Sequence, residues 1–146
     1  MESLYSITLS NPEFDRIANM MPDCCIVEIR KYGKENTEFE DRIGSMESPQ
    51  VVEMFHGTKF EYVNNILSEG LKSSYNRTSA YGKGTYFSPD VKFSLVNYTN
   101  KSQNDISYVF LCSVIVDDTN GNKTNIYVCP RNDSFKIDYL ISFYKC

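Results

Sequence analysis

His56, the only histidine in the chain, is followed directly by Gly57 and Thr58. A histidine can hydrogen-bond a ligand, and a glycine beside it lets backbone come close. Further along, Tyr81-Gly82-Lys83-Gly84-Thr85-Tyr86-Phe87-Ser88 sets two glycines ahead of Tyr86, and Ser94 and Tyr98 follow. Together these residues can do one kind of chemistry well, which is to hold an aromatic amide. Backbone at Gly57 can bond a carboxamide, a serine hydroxyl can bond its oxygen, and a tyrosine ring can stack on its plane. Each signal also has a plain structural reading. A lone histidine is more often structural than functional, and a Gly-Lys-Gly corner can be no more than a hairpin corner. Other chemistries are disfavoured. The chain lacks the phosphate-binding G-x-x-x-x-G-K-[ST], a G-x-G-x-x-G after a strand, G-x-S-x-G and H-E-x-x-H. One histidine cannot serve both a triad and a metal.

These residues need elements to place them. Val51–His56 reads as a strand that delivers His56 to a strand-to-helix junction. Thr58 and Glu61 have the T-x-x-E spacing of a capping box. The helix after it turns Phe60, Val63, Ile66 and Leu67 inward and stops at Gly70, in a left-handed cap. Thr85–Ser88 reads as a short strand, and Ser88-Pro89 starts a helix with Val91, Ser94, Leu95 and Tyr98 on its inner face. Before the histidine, Asn11-Pro12 opens a helix carrying Phe14, Ile17 and Met21, which ends by Pro22. Cys25–Arg30 is a strand, and the polar Lys31–Gln50 reads as a loop excursion. After the glycine turn, Tyr108–Val116 is a central strand. Asn120-Gly121 signals a tight hairpin turn, with Asn125–Cys129 as its return strand. Tyr139–Tyr144 closes the chain as a last strand. Mixed helices and dominant, antiparallel strands predict an α+β fold.

The whole chain sets outer limits. Its 146 residues suit one domain spanning 1–146. A net charge of −4 and a pI near 5.0 argue against a stable DNA-binding surface. No run approaches 18 apolar residues, which argues against a membrane span. The start MESLYSITLS lacks the pattern of a signal peptide. The five cysteines, Cys24, Cys25, Cys112, Cys129 and Cys146, form no C-x-x-C, so they read as reduced thiols of an intracellular protein, cytoplasmic or nuclear, and no metal is expected.

"MFHGTKFEYVNNILSEGL" (Met54–Leu71) and "YGKGTYFSPDVKFS" (Tyr81–Ser94) closely resemble the catalytic domain of the poly(ADP-ribose) polymerase family, in its mono-ADP-ribosylating, macrodomain-linked branch. Weaker likeness extends the match from about residue 12 to 144. The resemblance implies the diphtheria-toxin-like ADP-ribosyltransferase fold, with two crossed antiparallel sheets around an NAD cleft. It implies that NAD is the substrate and that ADP-ribose passes to a protein or nucleic-acid acceptor; the chain is expected to be a monomer. It assigns His56 to a ribose of NAD, the Gly57 backbone to the nicotinamide carboxamide and Tyr86 to the second position of the catalytic triad. Ser94 falls on the serine that bonds the carboxamide oxygen. Tyr98 takes the stacking position, one residue out of register. Thr58, Tyr81 and Gly84 complete the cofactor-binding set. Arg77, with Lys72 and Lys83, gives the loop over the donor a local positive charge suited to a pyrophosphate.

Two departures from the family pattern shape the expectation. The third triad position, glutamate in chain-elongating enzymes, falls on Ile126, or on Asn125 with a slip of one. Neither can hold a ribose hydroxyl or polarise an acceptor as a carboxylate does. The resemblance therefore implies single ADP-ribose units rather than polymer. The long excursion that usually carries the acceptor loop is replaced by the short Asp117–Thr124 segment, which leaves the acceptor side open. A binding module for NAD or ADP-ribose, and RNA end-processing on the same fold, stay open as alternatives.

Overall fold

A computed structural model describes residues 4–71, 84–93, 105–121 and 125–144. Two antiparallel sheets hold the chain together. The larger has the order β1-β2-β8-β5-β3, built from Leu4–Ser6 (β1), Cys25–Tyr32 (β2), Phe135–Tyr144 (β8), Ser107–Ile115 (β5) and Val51–Gly57 (β3). The smaller has the order β4-β7-β6, from Thr85–Phe87 (β4), Tyr127–Cys129 (β7) and Asn120–Gly121 (β6). The α+β reading of the sequence is what the structure has.

Both faces of the larger sheet are covered. On one face, alternate residues of β5 and β8 (Val109, Leu111, Tyr139, Ile141, Phe143) pack with Ile17 and Met21 from the first helix region. On the other face, Phe110, Cys112, Val114, Leu140, Phe135 and Ile137 pack with Val63 and Ile66, and with Phe87 and Cys129 of the small sheet. Burial on both faces explains why the centre of β5 reads as a continuous apolar run.

The helix Pro12–Asn19 (α1) forms as its sequence dictates. The Asn11 side chain accepts from the Glu13 amide at 2.9 Å, Pro12 fills the first turn, and Ile17 is fully buried. Its outer edge is tied to the sheet. Tyr139 Oη donates to Glu13 at 2.7 Å, Lys31 pairs with Glu13 at 3.1 Å, and Arg16 pairs with Glu53.

Five sequence expectations change. The Lys31–Gln50 loop contains a helix, Thr37–Gly44 (α2), capped by Asn36, whose side chain accepts from the Phe39 amide. Its apolar signal is a single i, i+4 pair, Phe39 and Ile43, too sparse to register as a period. Arg42 then grips Asp118 through two hydrogen bonds of 2.9 and 2.7 Å. The T-x-x-E capping box does not form. Thr58 is buried, so the cap shifts to Lys59, and a 3-10 turn, Phe60–Tyr62, precedes the helix Val63–Glu69 (α3). The 3-10 phase turns Phe60 outward, 49% exposed, against Tyr108. Gly70 does end α3, but at φ +84° and ψ 167° rather than in the left-handed helical region. Asn120-Gly121 is strand rather than turn. The register Asn120↔Val128, Gly121↔Tyr127 puts residues 122–126 in the connection, and the Tyr127 ring lies where a Cβ at 121 would be.

The cysteine expectation changes at one position. Cys25, Cys112 and Cys129 are free, but Cys24 is disulfide-bonded to a partner outside the described residues. Pairing of distant cysteines follows from tertiary proximity and leaves no spacing signature in a chain without C-x-x-C.

Among the described residues one buried hydroxyl is unmatched. Thr85 is 1% exposed, and its Oγ1 has no hydrogen-bond partner. An unpaired buried hydroxyl costs about 1 kcal/mol or more. Thr85→Val keeps the shape and removes that cost, so chemical denaturation should show a gain of about 1 kcal/mol. A loss would mean that the hydroxyl has a partner.

Candidate active site

Among the described residues the two sheets meet at one backbone bridge. The Phe55 amide donates to the Ser88 carbonyl at 2.7 Å, and the Ser88 amide donates back at 3.0 Å. Phe55 thus points its polar backbone away from β5. In an antiparallel ladder the polar groups of successive residues alternate between the two edges. The next residue, His56, pairs with Phe110 of β5; Gly57, two on from Phe55, again points its N–H and C=O outward. Gly57 is buried and neither group meets a partner among the described residues. A buried, unpaired donor and acceptor side by side is an incomplete arrangement in a folded protein. A primary carboxamide presents the matching acceptor and donor.

His56 stands beside it. Its Nδ1 lies 2.8 Å from the Tyr86 carbonyl oxygen. A carbonyl can only accept, so Nδ1 carries the proton. Burial lowers the imidazole pKa to about 4, against the opposing pull of that hydrogen bond. At neutral pH the ring is therefore uncharged, and Nε2 is an acceptor for a hydroxyl. The ring also packs against Phe87, with centroids 5.6 Å apart.

This shift has a readable sign. The unfolded chain binds a proton on His56 below about 6.5, while the folded chain resists it down to about 4. Stability is fully present above 6.5 and is lost as the pH falls toward 4. Between pH 7 and 5 the loss should approach about 2 kcal/mol. Few carboxylates titrate in that range and no other histidine exists. Urea denaturation of His56→Gln should flatten the profile over this window; an unchanged slope would refute the assignment.

Tyr86, Ile126 and Val128 form a small buried cluster of their own. Strand alternation sets it apart from Phe87 and Cys129, which face the main core. Of the two candidates for the third position, Ile126 is the one in contact with this cluster. Asn125 adopts φ +64°, a conformation that asparagine tolerates better than most residues. The structure thus brings His56, Gly57, Thr58, Tyr86 and Ile126 to one end of β3 and β4. Val128 joins them by strand period and is absent from the sequence-based set; two-residue spacing from Ile126 was the available signal. Gly84 has a structural reason of its own. At φ +148°, a Cβ there would come within 2.6 Å of the Cys129 carbonyl oxygen. Arg77, Tyr81, Ser94 and Tyr98 lie outside the described residues, as do Lys72 and Lys83. Among the described residues no three His, Cys, Asp or Glu side chains gather as a metal site requires.

Comparison with known proteins agrees in kind. A family model described as the poly(ADP-ribose) polymerase catalytic domain matches residues 18–124. The chain is also similar to the protein mono-ADP-ribosyltransferase PARP16 of Mus musculus and of Homo sapiens. Each is 30% identical over 71 residues, 49% of this chain. That stretch spans 21% of the length of each of these relatives.

Proposed function

The chain belongs to the poly(ADP-ribose) polymerase catalytic-domain family, with its ADP-ribosyltransferase fold, and from that premise we propose that it is an NAD-dependent mono-ADP-ribosyltransferase. The outward backbone of Gly57 beside a neutral His56 carries this reading. NAD, as substrate, supplies the ADP-ribosyl group and nicotinamide as leaving group. Gly57 holds the carboxamide through its N–H and C=O, which fixes the orientation of the leaving group. Tyr86 walls the pocket, and Ser94 and Tyr98 complete it by family resemblance. His56 Nε2 accepts from a ribose hydroxyl. The protein's contribution is positioning and electrostatics rather than a general base.

Ile126 supports single additions. It is 3% exposed and packed against Tyr86, so nothing at that position can orient a second ribose for elongation. The short connection from β5 to β7 supports an open acceptor side, with room for a bulky protein or nucleic-acid acceptor.

Labelled NAD is the test, incubated with pure protein and with protein, RNA and DNA acceptors. Release of nicotinamide with attachment of one unit per site is the expected result. Ladders of polymer would overturn the mono assignment. NAD binding without nicotinamide release would replace the enzyme with a binding module.

A further inference from the structure

Cys24 is disulfide-bonded, while Cys25, Cys112 and Cys129 are free. The chain has five cysteines, and Cys146 is the one left. The topology suits that pairing. β2 and β8 run antiparallel, and their ladder ends on the pair Cys25↔Tyr144. Cys24 comes one residue before β2 begins, and Cys146 comes two residues after β8 ends. Two residues span at most about 7 Å, so the ladder itself keeps Cys146 within reach of Cys24. Cys112 and Cys129 are poor competitors. Both are buried in the core, and burial raises both thiol pKa values. Exchange needs the thiolate, which burial disfavours. Cys25 is exposed and next in sequence, so it is the competitor that a test must exclude.

Cys24 is also placed where a covalent link has an effect. It packs against the core cluster that holds Ile17, Met21 and Val91. It lines a cleft of about 330 Å³ between residues 20–24 and residues 89–92. Asp23 pairs with Lys92 across that cleft at 2.8 Å, an exposed pair that holds little by itself. We propose that Cys24 and Cys146 form a redox-sensitive staple, which fastens the turn before β2 to the chain after β8 and stabilises the fold under oxidising conditions. The staple closes almost the whole chain into one loop, and a long loop is where a crosslink removes most freedom from the unfolded state. A dithiol opens it. Two electrons and two protons pass to the sulfurs, which become two thiols, and the dithiol becomes a disulfide. A small-molecule disulfide reverses the step by exchange. The staple does not depend on the transferase reading.

Thiol counting and thermal denaturation test this on the air-oxidised protein. Alkylation after unfolding, followed by mass measurement, should count three thiols without reductant and five after a dithiol. The melting temperature should fall by roughly 5–15 °C on reduction. Cys24→Ser should show four thiols without reductant and no response of its melting temperature to the dithiol. Cys25→Ser should keep the wild-type response. Five thiols in the oxidised wild type would overturn the proposal. So would a response that survives in Cys24→Ser and vanishes in Cys25→Ser, or a bond whose reduction leaves the melting temperature unchanged. A doubled mass without reductant would place the bond between two chains and overturn it as well. Should Cys24→Ser fail to fold, the wild-type counts and melting curves still decide.

Discussion

His56→Ala should lower kcat/KM for NAD by roughly 100-fold, with most of the loss visible as weakened NAD binding. Two effects combine. The ribose hydroxyl loses its acceptor, and the Tyr86 carbonyl loses the Nδ1 donor that now sits 2.8 Å away. Each lost hydrogen bond in a partly buried site is worth about 1–2 kcal/mol, so two together give a factor near 100. Isothermal titration with NAD and with nicotinamide alone separates the contributions. Nicotinamide, which has no ribose, should be affected far less than NAD. Equal loss for both would mean that His56 acts only by holding Tyr86 in place. Undiminished NAD binding would show that the hydroxyl acceptor lies elsewhere.

Gly84→Ala should destabilise the protein by about 3 kcal/mol, the largest stability effect of any single methyl we foresee. The backbone there has φ +148°, which an L-residue with a side chain adopts only under strain. The added methyl would also meet the Cys129 carbonyl at 2.6 Å and a Val128 methyl at 2.9 Å. The obstacle is backbone of β7, which cannot swing aside as a long side chain could. Strain of one to three kcal/mol and overpacking of similar size add to about this figure. Gly44→Ala is the matched control, with nothing within 4 Å of its Cβ position and no positive φ. Thermal denaturation of both variants decides the matter, and equal melting temperatures would refute the packing argument. The glycine-rich stretch thus has a packing reason beside the binding role its resemblance implies. Gly84 is needed so that β4 can lie against β7, and Tyr86 is placed by that pairing.

The sequence announced most of what the site needs and little of how its parts are aimed. His56, Gly57 and Tyr86 were legible because a histidine directly before a glycine closes one strand pattern, and because Tyr86 lies in a short strand that follows the Gly82-Lys83-Gly84 turn. The strands themselves were legible from β-branched and aromatic runs. The tautomer of His56 was not, because it depends on a carbonyl thirty residues away. Neither was the role of Gly84, since its obstacle is backbone on another strand. The capping box failed for a related reason. Local spacing proposed Thr58, but tertiary burial of Thr58 overrode it and moved the cap by one residue. The helix α2 escaped notice because eight residues with one buried apolar side chain make too little periodicity to see.

The unpaired edge at Gly57 has a consequence for the unliganded protein. β3 is the outermost strand of its sheet, and such strands invite other chains to add themselves. Here the bridge at Phe55 and Ser88 and the tether from His56 to Tyr86 cover most of the outer edge near its end. Among the described residues, what remains open near that end is the N–H and C=O of one residue, Gly57. On the proposed reading, a carboxamide bound there would act as a strand one residue long at the edge of the sheet.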